Sequence, residues 1–123
     1  MEKIFVLTGK IVHGKGLGRT VGMPTANIEV ENQKLPEPGV YATRIIIRGQ
    51  RYDAVTNIGT RPSVDQETYE TVEACILDFE ADIYGQEVTL EGMKFLRPIQ
   101  KFENLQEVQE QVQKDIAQAK KYF

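Results

Sequence analysis

The 123-residue sequence predicts an all-β domain closed into a small barrel or sandwich, with one amphipathic α-helix added at its C-terminal end. Two observations carry this expectation. Glycine and proline punctuate the first hundred or so residues into short segments rich in Val, Ile, Thr and Tyr, most of them too short for helices. The period then changes: Leu105, Val108, Val112, Ile116 and Ala119 fall at spacings of three and four, with Gln, Glu and Lys on the other face. No helical segment alternates with the strands before residue 100, so the strands must close on one another. At roughly 150 residues per domain the length gives a single domain, 1–123, with the barrel over about 4–100 and the helix over about 104–121.

The first strand runs from Ile4 to His13 and enters the loop Gly14-Lys15-Gly16-Leu17-Gly18-Arg19, where three glycines occupy five positions. Residues 28–38 read as a short strand followed by an irregular connection, because Pro36 and Pro38 remove backbone donors and push their predecessors to extended conformations. Gly39 to Arg48 is β-branched and aromatic, and Arg48-Gly49-Gln50-Arg51 closes a hairpin onto Tyr52 to Ile58. From Thr71 to Phe79, alternation puts Thr71, Glu73, Cys75, Leu77 and Phe79 on one face and Val72, Ala74, Ile76 and Asp78 on the other. A turn at Tyr84-Gly85-Gln86 leads to a last strand, Glu87 to Leu90, making about six. Asn104 can accept from the backbone of Glu107, whose side chain can reach back, which starts the helix near Asn104.

Composition excludes several functions. Fifteen basic against 18 acidic side chains give a formal charge of −3, contrary to a general affinity for nucleic acid or anionic membrane. The longest aliphatic run, Ile45-Ile46-Ile47, is far short of the roughly 20 residues that span a bilayer, and the N-terminal residues lack a signal-type apolar region. One cysteine, Cys75, allows no internal disulfide, and with the single histidine, His13, it matches no zinc spacing. A cytoplasmic protein without transition-metal chemistry is the expectation. Met1 followed closely by a strand is what a stand-alone protein would show, and a domain cut from a bifunctional chain would show the same.

Three groups could carry chemistry. The backbone amides of the loop from Gly14 to Gly22 can form an anion-binding concavity, with Lys15 and Arg19 adding charge; as a bare pattern it also reads as a Gly-rich surface loop. It is neither a P-loop nor a dinucleotide fingerprint. In Pro24-Thr25-Ala26-Asn27, one hydroxyl and one amide oxygen two residues apart point to the same side of an extended segment and suit magnesium, although either side chain could instead bond its own backbone. Glu73 shares its face with Cys75, Leu77 and Phe79, an environment that would raise a carboxyl pKa toward the range of a general base; its alternative is an exposed rim position. Tyr41, Tyr52 and Tyr69 read as strand packing, and Arg44, Arg48 and Arg51 as a solvated hairpin.

The strings GKIVHGKGLGRTVGMPTAN, GVYA at 39–42, NIGTRPS at 57–63, VEACILDF at 72–79, DIYG at 82–85 and FLRPIQKF at 95–102 resemble, in order and spacing, the riboflavin kinase (flavokinase) family over nearly the whole chain. This module is often the C-terminal half of a bifunctional riboflavin kinase/FAD synthetase. The resemblance implies a six-stranded antiparallel Greek-key barrel with the C-terminal helix packed on its outside, converting riboflavin and ATP to FMN and ADP with Mg²⁺. It implies that Thr25 and Asn27 hold Mg²⁺ and the nucleotide phosphates under a flap made by Gly14, Lys15, Gly16, Gly18 and Arg19. Glu73 would be the general base, and Arg97 and Phe102 would belong to a segment that covers the flavin. Departures from the family pattern are Cys75 for His, Ile99 for Glu, Ser63 for Thr and Met23 for Phe. Two other readings remain: a flavin- or nucleotide-binding barrel without catalysis, and a small barrel that binds oligonucleotides. Retention of Thr25, Asn27 and Glu73 together speaks against the first, and the absence of a basic stripe against the second.

Overall fold

The computed structural model describes residues 3–12, 25–31, 33–62, 68–78 and 83–123. Within these the chain forms strands β1 (Phe5–Val12), β2 (Thr25–Glu29), β3 (Gly39–Ile47), β4 (Gln50–Pro62), β5 (Thr68–Ile76) and β6 (Glu87–Arg97). Helix α1 (Leu105–Ala119) follows and ends in a 3₁₀ turn, Lys120–Tyr122. The strands close antiparallel in the order β1-β2-β5-β4-β3-β6. Strands β3, β4 and β5 are successive neighbours while β6 returns beside β3, which is a Greek key. The expected all-β barrel with an external C-terminal helix is thus the observed one.

Local sequence explains most of the turns and borders. The β3–β4 hairpin turns on Arg48 and Gly49, both left-handed at φ 52° and 79°, the pair of positive angles that matches strand twist in a two-residue loop. Several borders differ from expectation: β4 runs on from Ile58 to Pro62, β5 begins at Thr68 rather than Thr71, and three more bear on the site or the core. β2 begins at Thr25 rather than near residue 28, because Thr25, Ala26 and Asn27 pair with Cys75, Ala74 and Glu73 of β5. β5 stops at Ile76, and Asp78 takes a left-handed turn at φ 52°. β6 continues through Glu91 and Gly92 to Arg97, where the sequence reads as a break at Leu90. Gly92 is required there, since the ring of Phe5 occupies the space a side chain would need.

The barrel interior is filled by Leu7, Ile11, Ile28, Ile45, Ile47, Ile58, Val72, Ile76, Val88 and Leu90. Thr43 and Thr56 are buried with them, and their hydroxyls satisfy each other at 2.8 Å while Thr43 also donates to the Ala54 carbonyl. One part of the core is aromatic: Tyr41 meets Phe5 and Phe95 edge-on at centroid distances of 5.1 and 5.2 Å. The Tyr41 hydroxyl donates to the Glu37 carbonyl at 2.5 Å, and burial, helped by the Glu37 charge, pushes its pKa above 10.0. The irregular connection after β2 is tied down by Gln33, whose side-chain amide bonds both the N–H and the carbonyl of Thr8.

Outside the barrel, α1 packs Ile116 and Ala119 against Val40, Ala42 and Val55, with Val112, Leu96 and Tyr122 at the margin. Asn104 caps the helix by accepting from the Glu107 N–H at 2.9 Å, and the Glu107 carboxylate reaches back to the Glu103 N–H, one residue earlier than expected. Burial grows along the helix: Leu105 is 47% exposed while Ile116 is 8% and Ala119 0%, so the C-terminal turns carry the docking.

Candidate functional site

Directly opposed residues in antiparallel strands share a face, with Cβ atoms about 4.5–5.5 Å apart. Because Val72, Ala74 and Ile76 point into the barrel, Glu73 and Cys75 point out. Following the register around the outside gives one row, Asn27–Glu73–Asn57–Val40–Arg97, and beside it a second, Thr25–Cys75–Val55–Ala42–Lys94. Helix α1 covers the Val40, Ala42 and Val55 portion. It leaves Thr25, Asn27, Glu73 and Asn57 together on the open portion, the first three half-buried and Asn57 exposed.

The lateral neighbours of Glu73 are therefore two amides, Asn27 on β2 and Asn57 on β4, not the apolar set that alternation along β5 alone suggests. Cross-strand partners lie closer than residues i and i+2 of one strand, so they define a strand residue's surroundings. Of that apolar set, Cys75 is buried at 6% exposure, and burial pushes its thiol pKa above 9.0. Leu77 lies in the turn after β5, and Phe79 is outside the described residues. Gly14, Lys15, Gly16, Gly18 and Arg19 also lie outside them. The strands flanking that segment come together at this place, since Val12 of β1 pairs with Asn27 of β2.

The donor set fits a hard cation. Thr25 and Asn27 present a hydroxyl and an amide oxygen on the same outward face, beside the carboxylate of Glu73. Among the described residues no cluster of three or more His, Cys, Asp or Glu could hold a metal ion by itself. A hydroxyl and an amide oxygen are donor types that magnesium accepts, since it takes one or two protein ligands and fills its shell with water and phosphate oxygens.

Arg97 and Phe102 belong to the other end of the row. The Arg97 guanidinium forks onto the Asp115 carboxylate, Nε to Oδ1 and Nη2 to Oδ2, both at 2.8 Å. Its Nη1 donates to the Pro98 carbonyl, and its Cζ lies over the Phe102 ring, 5.8 Å from the centroid. Beyond Arg97 the chain turns across the outside of β4, where the Ile99 Cδ1 comes within 3.7 Å of the place a side chain on Gly59 would take; the Asn57 Oδ1 is 3.8 Å from that same place. The segment after β6 thus borders the open surface around Glu73 and Asn57.

Sequence reasoning passed over Asn57 and Asp115. Asn57 stands in NIGTRPS at an outward position of β4, a placement visible only once β4 is registered against β5. Asp115 was legible in principle: it is three residues after Val112 and four before Ala119, on the inward face of α1, where a charge demands a partner. The groove lined by Thr8, Lys10, Glu29, Gln33 and Arg48 runs along β1 and contains none of the site residues. Among the described residues no helix is long and apolar enough to cross a membrane.

The sequence profile of the flavokinase family, riboflavin kinase, matches residues 1–123. The bifunctional riboflavin kinase/FMN adenylyltransferase of Escherichia coli K12 is 38% identical over 120 residues, 97% of this chain and 38% of that protein. The Bacillus subtilis protein of the same name is 35% identical over 97% of this chain and 39% of its own length. This chain therefore spans about two-fifths of these relatives. Among solved structures, one described as a macrolide-efflux protein from Streptococcus pneumoniae superposes with a TM-score of 0.88 at 30% identity, over 96% of this chain and 39% of that one. Riboflavin kinase from Trypanosoma brucei superposes with a TM-score of 0.66 at 24% identity, over 98% and 80%, a likeness of fold.

Proposed function

The chain belongs to the riboflavin kinase (flavokinase) family, and from that premise we propose that it transfers the γ-phosphoryl group of ATP to the ribityl 5′-hydroxyl of riboflavin, giving FMN and ADP. The single observation that carries the mechanism is the outward row in which Glu73 stands between Asn27 and Asn57, next to Thr25 and clear of the helix. Phosphoryl transfer proceeds through a loose transition state, so the protein mainly positions the two substrates and neutralises charge. Glu73 accepts the proton of the attacking hydroxyl as the O–P bond forms and the β–γ bridge breaks. Thr25 and Asn27 would hold Mg²⁺, which supplies neutralisation of the phosphate charge. Amides of Gly14, Gly16 and Gly18, with the cations of Lys15 and Arg19, would close over the nucleotide, and Arg97 and Phe102 would stand on the flavin side.

In this reading residues 1–123 form one kinase domain of a cytoplasmic protein. Its partners are ATP, ADP, riboflavin and FMN, joined by an adenylyltransferase domain if the chain works as its bifunctional relatives do. Nucleic acid and membranes are not among its partners.

The test is a product assay: purified protein with riboflavin, ATP and Mg²⁺, resolved by chromatography with flavin fluorescence. FMN should accumulate with Mg²⁺ and not with chelator. Tight riboflavin binding without FMN under any divalent cation would instead support a silent flavin-binding barrel.

A further inference from the structure

The feature that the proposed chemistry leaves unused is the buried carboxylate of Asp115. It is 5% exposed in an external helix whose neighbouring inward residues, Val112, Ile116 and Ala119, are apolar. A carboxylate taken out of water needs full compensation, and Asp115 has it: both oxygens take the Arg97 fork at 2.8 Å, and Oδ1 also accepts from the Gln111 side chain at 3.0 Å. Packing alone does not call for this, since the apolar pairs already dock the helix.

Attached to the Arg97 fork is the start of the segment that borders the site. The third guanidinium nitrogen holds the Pro98 carbonyl, the guanidinium Cζ lies over the Phe102 ring, and between these two anchors Ile99 lies over Gly59, beside Asn57. Ile99 is 47% exposed and Pro98 to Lys101 lie outside any regular element, so these anchors bear on where the segment sits. An arginine whose fork is committed to a buried carboxylate has few donors left for a substrate, which makes it a strut.

We propose that Asp115 is a positioning residue: through Arg97 it holds the Pro98–Phe102 segment against β4, so that the C-terminal helix sets the affinity of the site for the flavin. This rests on the kinase reading given above. It assigns to α1 a part in substrate binding and separates the two substrates, because Thr25 and Asn27 on the nucleotide side lie at the opposite end of the outward row.

The experiment measures riboflavin affinity by fluorescence titration, and KM for riboflavin and for ATP, on the 123-residue protein and on Asp115→Asn and Gln111→Ala. Asp115→Asn removes the charge without changing shape and should raise the riboflavin Kd and KM about tenfold, leaving the KM for ATP within about twofold, since only one side of the site is loosened. Gln111→Ala removes one neutral donor and should shift riboflavin affinity about two- to threefold in the same direction. The proposal is overturned if Asp115→Asn lowers only thermal stability while the folded protein keeps its riboflavin affinity, or if both KM values rise alike. Should Asp115→Asn fail to fold, an unchanged riboflavin Kd in Gln111→Ala overturns it. A wild-type protein that binds no riboflavin and forms no FMN defeats the kinase reading; an active wild type with indifferent variants defeats the role of Asp115 alone.

Discussion

The covered and open halves of the barrel's outer surface are built from the same rows. Along one row the residues pass from Asn27, Glu73 and Asn57 to Val40, and along its neighbour from Thr25 through Cys75 to Val55 and Ala42. Pairing continues around the closed sheet through both halves, with register shifts in the β3–β6 ladder at Val40/Tyr41 and Ala42/Thr43 on the covered side. Side-chain polarity distinguishes them. Where the row turns apolar a helix can bury it, and where it stays polar the helix has nothing to gain by covering it. The difference teaches that this site is a stretch of ordinary sheet surface left polar, outside the part that helix α1 covers.

The sharpest test of the division replaces Glu73 by Gln. Loss of a general base slows turnover by about 10²–10⁴-fold, while a half-buried carboxylate replaced by its isosteric amide should change unfolding free energy by no more than about 1.5 kcal/mol, the scale of one hydrogen bond. Steady-state kinetics and urea unfolding on the same preparation read both numbers, and full turnover in the variant would remove Glu73 from the chemistry. On the covered half the expectation inverts. Ile116→Ala should lower stability by about 2 kcal/mol, the low end for an isoleucine because the cluster lies at the protein surface, with kcat unchanged for the folded fraction. A fall in kcat without a fall in stability would show that the two halves are not separable.

The smallest effect belongs to Cys75, which lies on the boundary between Thr25 and Val55. Its thiol is pushed above 9.0 by burial, so its neutral form is favoured in the fold. The stability this contributes is fully present below the ordinary thiol pKa and is lost as pH rises through the raised one. Alkylation by iodoacetamide at pH 8 should accordingly be slow in the native protein and fast in urea. Rapid native labelling would place Cys75 with the open half.

How much of this was legible in the sequence follows from which contacts are local. The Arg48-Gly49 turn, the Asn104 cap and the inward stripe of α1 depend on residues within four positions of each other, and each appears where the pattern puts it. Thr25, Asn27 and Glu73 were legible as candidates by their chemistry and motif, and their adjacency required the β2–β5 register, which joins residues 46 or more apart. The helical period alone places Asp115 on the inward face of α1, but its partner Arg97, like the place of Asn57 beside Glu73, is a long-range pairing that no local period encodes. The extension of β6 past Gly92 was hidden because glycine normally argues against a strand interior, and only the ring of Phe5 explains it.

Closure of the barrel has a consequence for how the chain is made. Phe5 pairs with Gly92, so the first strand finds its partner on β6 only when the last strand exists, whereas β3, β4 and β5 form a meander of neighbours. On the ribosome the meander can assemble while β1 waits with one edge unsatisfied, and the barrel locks only after residue 97 has emerged. A chain interrupted before that point leaves the edges of β1 and β3 ready to pair with another nascent copy, and in the closed barrel β6 pairs with both.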